Sequence, residues 1–215
     1  MADTLKGQDI ARASMEMISR LVDLSACDQA ERAVIMRCVH AVGDVSVAPE
    51  LAFSAGAART GIDLLRRGAG VFADVNMLAA GIASGLRRKV GASLWVGINH
   101  PEAAGMAQRQ RWTRAEAGLW LYRQRLQGAV VAIGNAPTAL RRLLAMYQAG
   151  EVVPGLVIGM PVGFVDAAES KQALMESGLP FITCRGTRGG SPMAAAALNA
   201  LWQEASRAGS GEREE

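Results

Sequence analysis

The 215-residue chain has only three cysteines, Cys27, Cys38 and Cys184, widely spaced and without a Cys-x-x-Cys pair. An odd, scattered set argues against a disulfide framework or a zinc site and fits a reducing cytoplasm. Histidine is scarcer still, with His40 and His100 alone, too far apart to suggest a catalytic metal centre. Aromatic residues make up 5%, and the one dense basic run, Arg87-Arg88-Lys89, has none interleaved, which argues against nucleic acid as a partner. No apolar run reaches the ~18–20 residues of a membrane span. The opening Met1-Ala2-Asp3-Thr4-Leu5-Lys6 lacks the basic-then-apolar order of a signal peptide. There is no Gly-x-Gly-x-x-Gly and no Gly-Lys-Ser/Thr, so neither a dinucleotide fingerprint nor a P-loop is supported. No carboxylate pair or serine triad stands out.

What is present is an ordinary globular balance, 50% apolar and 20% charged, with a net charge of +3. The charge fits either a mildly basic protein or a site for a polyanionic ligand held by arginines. Residues 8–22 read as an amphipathic helix with Ile10, Met17, Ile18 and Leu21 on one side. Asp28 and Glu31 have capping-box spacing before a second helix striped by Val34, Ile35, Cys38 and Val39 and ended by Gly43. A third helix is expected from Ser54 to Gly68.

Beyond it, apolar runs at 71–73, 94–98, 129–133, 156–158 and 180–184 alternate with helical patterns near 103–127, 137–148, 166–177 and 191–205. Several of the runs are apolar at consecutive positions, as in strands buried on both faces. The expected fold is therefore α/β, three-layered and doubly wound around a mostly parallel sheet, with an N-terminal helical segment. One domain over 1–205 and a disordered tail over 206–215 are expected.

In open α/β sheets ligands bind beyond the carboxyl ends of the strands. Ile133-Gly134-Asn135-Ala136-Pro137 is either a tight strand-to-helix turn or a helix start whose free amides hold an anion. Gly159-Met160-Pro161-Val162-Gly163-Phe164-Val165 is unusually apolar for a loop and suggests a pocket wall or an interface. Arg185-Gly186-Thr187-Arg188-Gly189-Gly190-Ser191 offers two arginines among backbone amides, a fitting anion cradle. His100, before Pro101, reads as a turn residue. His40 lies three residues after Arg37, on a shared helix face. Periodicity alone leaves it open whether His40 is structural or a proton donor.

Together these segments resemble the precorrin-8X methylmutase family over about Gly7 to Leu201. The most specific stretches are Val130 to Leu140, Gly159 to Val165 with Ala167-Ala168-Glu169-Ser170-Lys171, and the Arg185-Gly186 and Gly189-Gly190-Ser191 pieces. Asp44-Val45-Ser46 and region 99–112 depart from the family pattern. The resemblance implies a flavodoxin-like sheet of five parallel strands, a cytoplasmic homodimer and a corrinoid substrate, with no cofactor, no metal and no external methyl donor. It implies an intramolecular methyl migration with His40 as the acid. It also implies substrate contacts from Ser14, Arg37 and Arg114. The loop residues Gly134, Asn135, Gly163, Arg185, Gly186, Gly189, Gly190 and Ser191 complete the expected site.

Overall fold

The computed structural model describes residues 5–207, so residues 208–215 of the expected tail lie outside the described residues. Two helices come first, α1 (Leu5–Leu21) and α2 (Gln29–Val42). Asp28 and Glu31 form the full reciprocal capping box on α2, and Gly43 closes it in the left-handed region with φ 68°. A short 3-10 turn (Val45–Glu50) then delivers the chain to β1 (Leu51–Phe53).

The remaining elements are α3 (Ala57–Arg66), β2 (Val71–Ala73), α4 (Asn76–Gly81), α5 (Ser84–Val90), β3 (Leu94–Val96), α6 (Ala103–Gln110), α7 (Arg114–Leu121), β4 (Val130–Ile133), α8 (Pro137–Gln148), β5 (Leu156–Gly159), α9 (Ala167–Met175), β6 (Phe181–Cys184) and α10 (Ser191–Arg207). The sheet has six strands in the order β1-β6-β5-β4-β2-β3. The run β3-β2-β4-β5-β6 is parallel throughout and reproduces the flavodoxin-like order. β1 is the addition: it pairs antiparallel with β6, Leu51 opposite Cys184 and Phe53 opposite Ile182. It runs backwards because the chain arrives from α2 and the 3-10 turn at the carboxyl edge. Three residues following Pro49 carry too little pattern to announce a strand.

Burial explains the continuous apolar runs. Val130 and Ala132 of β4 face a core cluster shared with α2, α3, α4 and α10, whereas Val131 and Ile133 face a second cluster shared with α7, α8 and α9. Leu156 and Ile158 alternate with Val157 in the same way. Both faces are covered, so the strands are apolar almost throughout, and the one polar strand residue, Thr183 of β6, is buried with its hydroxyl donated to Gly159 O.

Two expectations are corrected, and helices stand in one region for which none was read. The third helix starts at Ala57, after β1. The region between β2 and β3 holds α4 and α5. The long helix near 103–127 is broken: Arg111 turns left-handed at φ 58°, and Thr113 caps α7 by accepting the Glu116 amide at 3.1 Å. Thr113-x-x-Glu116 is itself capping-box spacing, a signal available in the sequence.

Candidate functional site

At the carboxyl edge of the sheet the strand-end segments are knitted together. The Met160 amide donates to Ile133 O at 2.8 Å, the Gly190 amide to Met160 O at 2.7 Å, and the Gly163 amide to Thr187 O at 3.1 Å. A Cβ on Gly134 would come within 2.7 Å of the Ser191 backbone, so only glycine lets the β4 turn meet the start of α10. The structure thus brings Gly134, Asn135, Gly163, Gly186, Gly189, Gly190 and Ser191 to one edge.

Gly189 is the most constrained of them. Its φ is +151°, and a Cβ would sit 2.3 Å from Met160 O. Gly189→Ala is expected to cost about 2 kcal/mol or more, through backbone strain and the clash with a fixed carbonyl. A thermal melt of the purified variant checks this.

The β4 turn resolves differently from the anion-binding reading. Its amides already hold a carboxylate belonging to the chain. Asp74, fully buried directly after β2, accepts from the Gly134 amide at 3.2 Å, Asn135 at 2.8 Å and Ala136 at 3.0 Å. Burial pushes its carboxyl above the ordinary value, and these amides pull against that shift. β2 and β4 flank the switch point where open sheets of this order take their ligands. Here Asp74 fills the innermost position. Its sequence signal was a lone acid closing the buried run Val71-Phe72-Ala73.

Arg188 is a second correction. Its guanidinium faces Asp44 at 3.3 Å and Glu50 at 3.6 Å and donates to the Ser46 hydroxyl at 2.7 Å. It is satisfied internally rather than presented to an anion. Arg185 is exposed, and its side chain lines a hollow of about 480 Å³ with Glu169, Gln172 and Glu176. Beneath this loop Lys171 is buried and donates to Arg188 O, and burial pushes its amine pKa down. Cys184, also buried, is pushed up to about 11.

The chemistry-bearing pair comes from the helical segment. Ser14 of α1 and His40 in the last turn of α2 lie 2.9 Å apart, Oγ to Nδ1. Ile18 is buried in the core cluster that also holds Val34, Ile35 and Cys38, and α1 packs against α2, which sets this approach. When Ser14 donates to Nδ1, the neutral ring carries its proton on Nε2. When the ring is cationic, Nδ1 donates to Ser14 and Nε2 keeps its proton. In both states the nitrogen that Ser14 does not touch carries a hydrogen, and from the cationic ring that proton can be transferred to leave a neutral imidazole, with His40 exposed to do so.

Arg37 is not part of that pair. It donates to Gln203 Oε1 at 2.7 Å and lines a groove of about 680 Å³ between α2 and α10 that does not include His40. Arg114 is exposed at the start of α7, next to Thr113, whose hydroxyl meets that of Thr138 at 2.7 Å. That places Arg114 by the start of α8, and no hydrogen bond or ion pair links it to Ser14 or His40 among the described residues. His100 is a turn residue: its Nδ1 accepts the Glu102 amide at 3.2 Å and its ring abuts Tyr122. Among the described residues no group of three or more His, Cys, Asp or Glu side chains is placed to hold a metal ion. No helix among them is long and apolar enough to cross a membrane.

Comparison with known proteins adds to this geometry. Residues 9–204 match the family described as precorrin-8X methylmutase (CbiC). The chain is 40% identical to the precorrin-8X methylmutase of Pseudomonas aeruginosa over 200 residues, covering 92% of this chain and 96% of that one. It is 37% identical to the cobalt-precorrin-8 methylmutase of Priestia megaterium over 198 residues, covering 92% and 88%. The solved precorrin-8X methylmutase of Thermus thermophilus superposes with a TM-score of 0.87 at 35% identity, covering 94% of this chain and 98% of that one. The sheet order, the strand-end glycine loops and near full-length likeness agree, and the chain belongs to the precorrin-8X methylmutase family.

Proposed function

We propose that this protein is an isomerase of cobalamin biosynthesis. It moves a methyl group from ring carbon 11 to ring carbon 12 of precorrin-8X or cobalt-precorrin-8, giving hydrogenobyrinic acid or cobyrinic acid. The observation that carries the reading is the Ser14–His40 pair at 2.9 Å, on an exposed helix end, in a chain of this family. His40 protonates a nitrogen of pyrrole ring C, which draws ring electrons toward the shift. Ser14 fixes the imidazole so that Nε2 carries the transferred proton. The reaction is an isomerisation, so the proton lent to the ring is recovered and no external methyl donor enters.

The strand-end loops form the cradle. Arg185 and Arg114 are exposed and suit the carboxylates around a corrinoid. The loop after β5 supplies an apolar wall, with Phe164 95% and Val165 85% exposed. Purified protein mixed with precorrin-8X should shift the visible spectrum as product forms, and no shift would sink the assignment. A corrinoid carrier on the same scaffold would instead bind product tightly without turnover. The Asp74 carboxylate on the β4 turn amides speaks against a nucleotide-dependent transferase.

The working form is a cytoplasmic homodimer. Ile10, Met17 and Leu21 are each more than 60% exposed and share one face of α1 with Ser14. A cover over that stripe would also roof the Ser14–His40 pair. Burying it would stabilise association at roughly 25 cal/mol per Å² of apolar surface. Met17→Glu is expected to yield monomer in sedimentation velocity, and a wild-type chain that sediments as monomer would refute the dimer.

A further inference from the structure

The structure assigns to Arg188 a positioning role: it bolts the loop after β6 to the end of the helix that carries His40. This inference rests on the isomerase reading above. The loop and the helix come from opposite ends of the chain. His40 lies one turn before Gly43, whose amide caps α2 by donating to Val39 O at 2.9 Å. The next residue, Asp44, accepts the Ser46 amide at 2.9 Å and so fixes the turn leaving the helix. Arg188 reaches into that turn. Its Nη1 donates to Ser46 Oγ at 2.7 Å and faces Asp44 Oδ2 at 3.3 Å and Glu50 Oε1 at 3.6 Å.

The arginine is itself held from below. Its carbonyl accepts from the buried ammonium of Lys171 on α9. One residue earlier, Thr187 O accepts the Gly163 amide at 3.1 Å. Two residues later, the Gly190 amide is bonded to Met160 O at 2.7 Å. The Arg185 amide donates to Glu50 O at 2.7 Å, a second tie to the same 3-10 turn. The loop is therefore a fixed body, and Arg188 is its arm toward α2. The arm is half-exposed, at 45% for its side chain. Such pairs contribute little to global stability, so registration of the two segments is the effect left to it. Arg188 touches neither Ser14 nor His40 and acts through the helix end.

The experiment compares Arg188→Gln, Asp44→Asn and the double variant with the wild-type chain, using precorrin-8X as substrate. The geometry gives a kcat loss of about 10- to 100-fold in Arg188→Gln, since misplacement by an ångström costs that much. KM should change by less than about threefold, and Tm should stay within about 2 °C. The double variant should lose no more than Arg188→Gln alone. A rise in KM with kcat retained would mean that Arg188 binds substrate directly, and would overturn the inference. Additive losses, or a kcat within about twofold of wild type, would overturn it too.

Hydrogen exchange decides the matter without turnover. Amides at 41–46 and 186–190 should exchange faster together in Arg188→Gln, and loosening of 186–190 alone defeats the proposal. An inert wild-type chain that still shows joint loosening would count against the isomerase reading and not against the clamp. Should Arg188→Gln fail to fold, Ser46→Ala removes the 2.7 Å bond without touching charge and should reproduce part of the joint loosening.

Discussion

His40→Ala is expected to lower kcat on precorrin-8X by about 100- to 10,000-fold, the usual contribution of a positioned general acid. Corrinoid binding should survive, because the cradle lies in the strand-end loops and not on α2. The fold should survive as well, since His40 is exposed and, among the described residues, its ring bonds only Ser14. Ser14→Ala should lose less, about tenfold, because the ring remains but its tautomer and orientation are no longer set. Steady-state kinetics with a parallel binding titration separate these effects. Full activity in His40→Ala would remove the histidine from the mechanism.

Asp74→Ala is expected to have the largest effect on stability. It strands the amides of the buried Gly134 and Ala136 and the part-buried amide of Asn135. Each buried donor left without a partner costs about 1–3 kcal/mol, so the loss should be about 3 kcal/mol or more. For a chain of this size that is a fall in Tm of roughly 6–12 °C. Asp74→Asn should recover only part of it, because an amide side chain brings its own donors to face three others. Thermal melts of both variants check the order. An Asp74→Ala chain as stable as wild type would mean that water replaces the carboxylate without penalty. The turn meets the start of α10 at Ser191, so loosening it should also weaken corrinoid binding.

Much of the fold was legible where one physical pattern dominates. The strands β2, β4 and β5 announced themselves as unbroken apolar runs and β6 as a run interrupted only by Thr183, because both sheet faces are covered. The box at Asp28 and Glu31 and the stop at Gly43 fixed α2 to the residue. The pattern failed where elements are short. β1 is three residues whose pairing is wholly long-range, with β6 about 130 positions away. The break at Arg111 was hidden because a left-handed arginine has no sequence signature. The stripe of α1 was read correctly as apolar, yet only Ile18 of it is buried.

The candidate site divides in the same way. Residue types and spacing singled out His40, the strand-end glycines and the apolar loop after β5, since these depend on local chemistry and backbone freedom. Partners were another matter. Whether a polar group is free or already bonded depends on what the sheet order brings beside it. Asp74 and the β4 turn are 60 residues apart in sequence, and so the amides looked vacant. Arg188 looked like an anion ligand until Asp44 and Glu50 were placed beside it. Ser14 and His40 are 26 residues apart, and only the packing of α1 against α2 sets them within hydrogen-bonding distance. The sequence by itself determined which groups this protein has to work with. The tertiary structure decided which of them are spent on holding the fold and which remain for a ligand, because hydrogen bonds and ion pairs form through space and not along the chain.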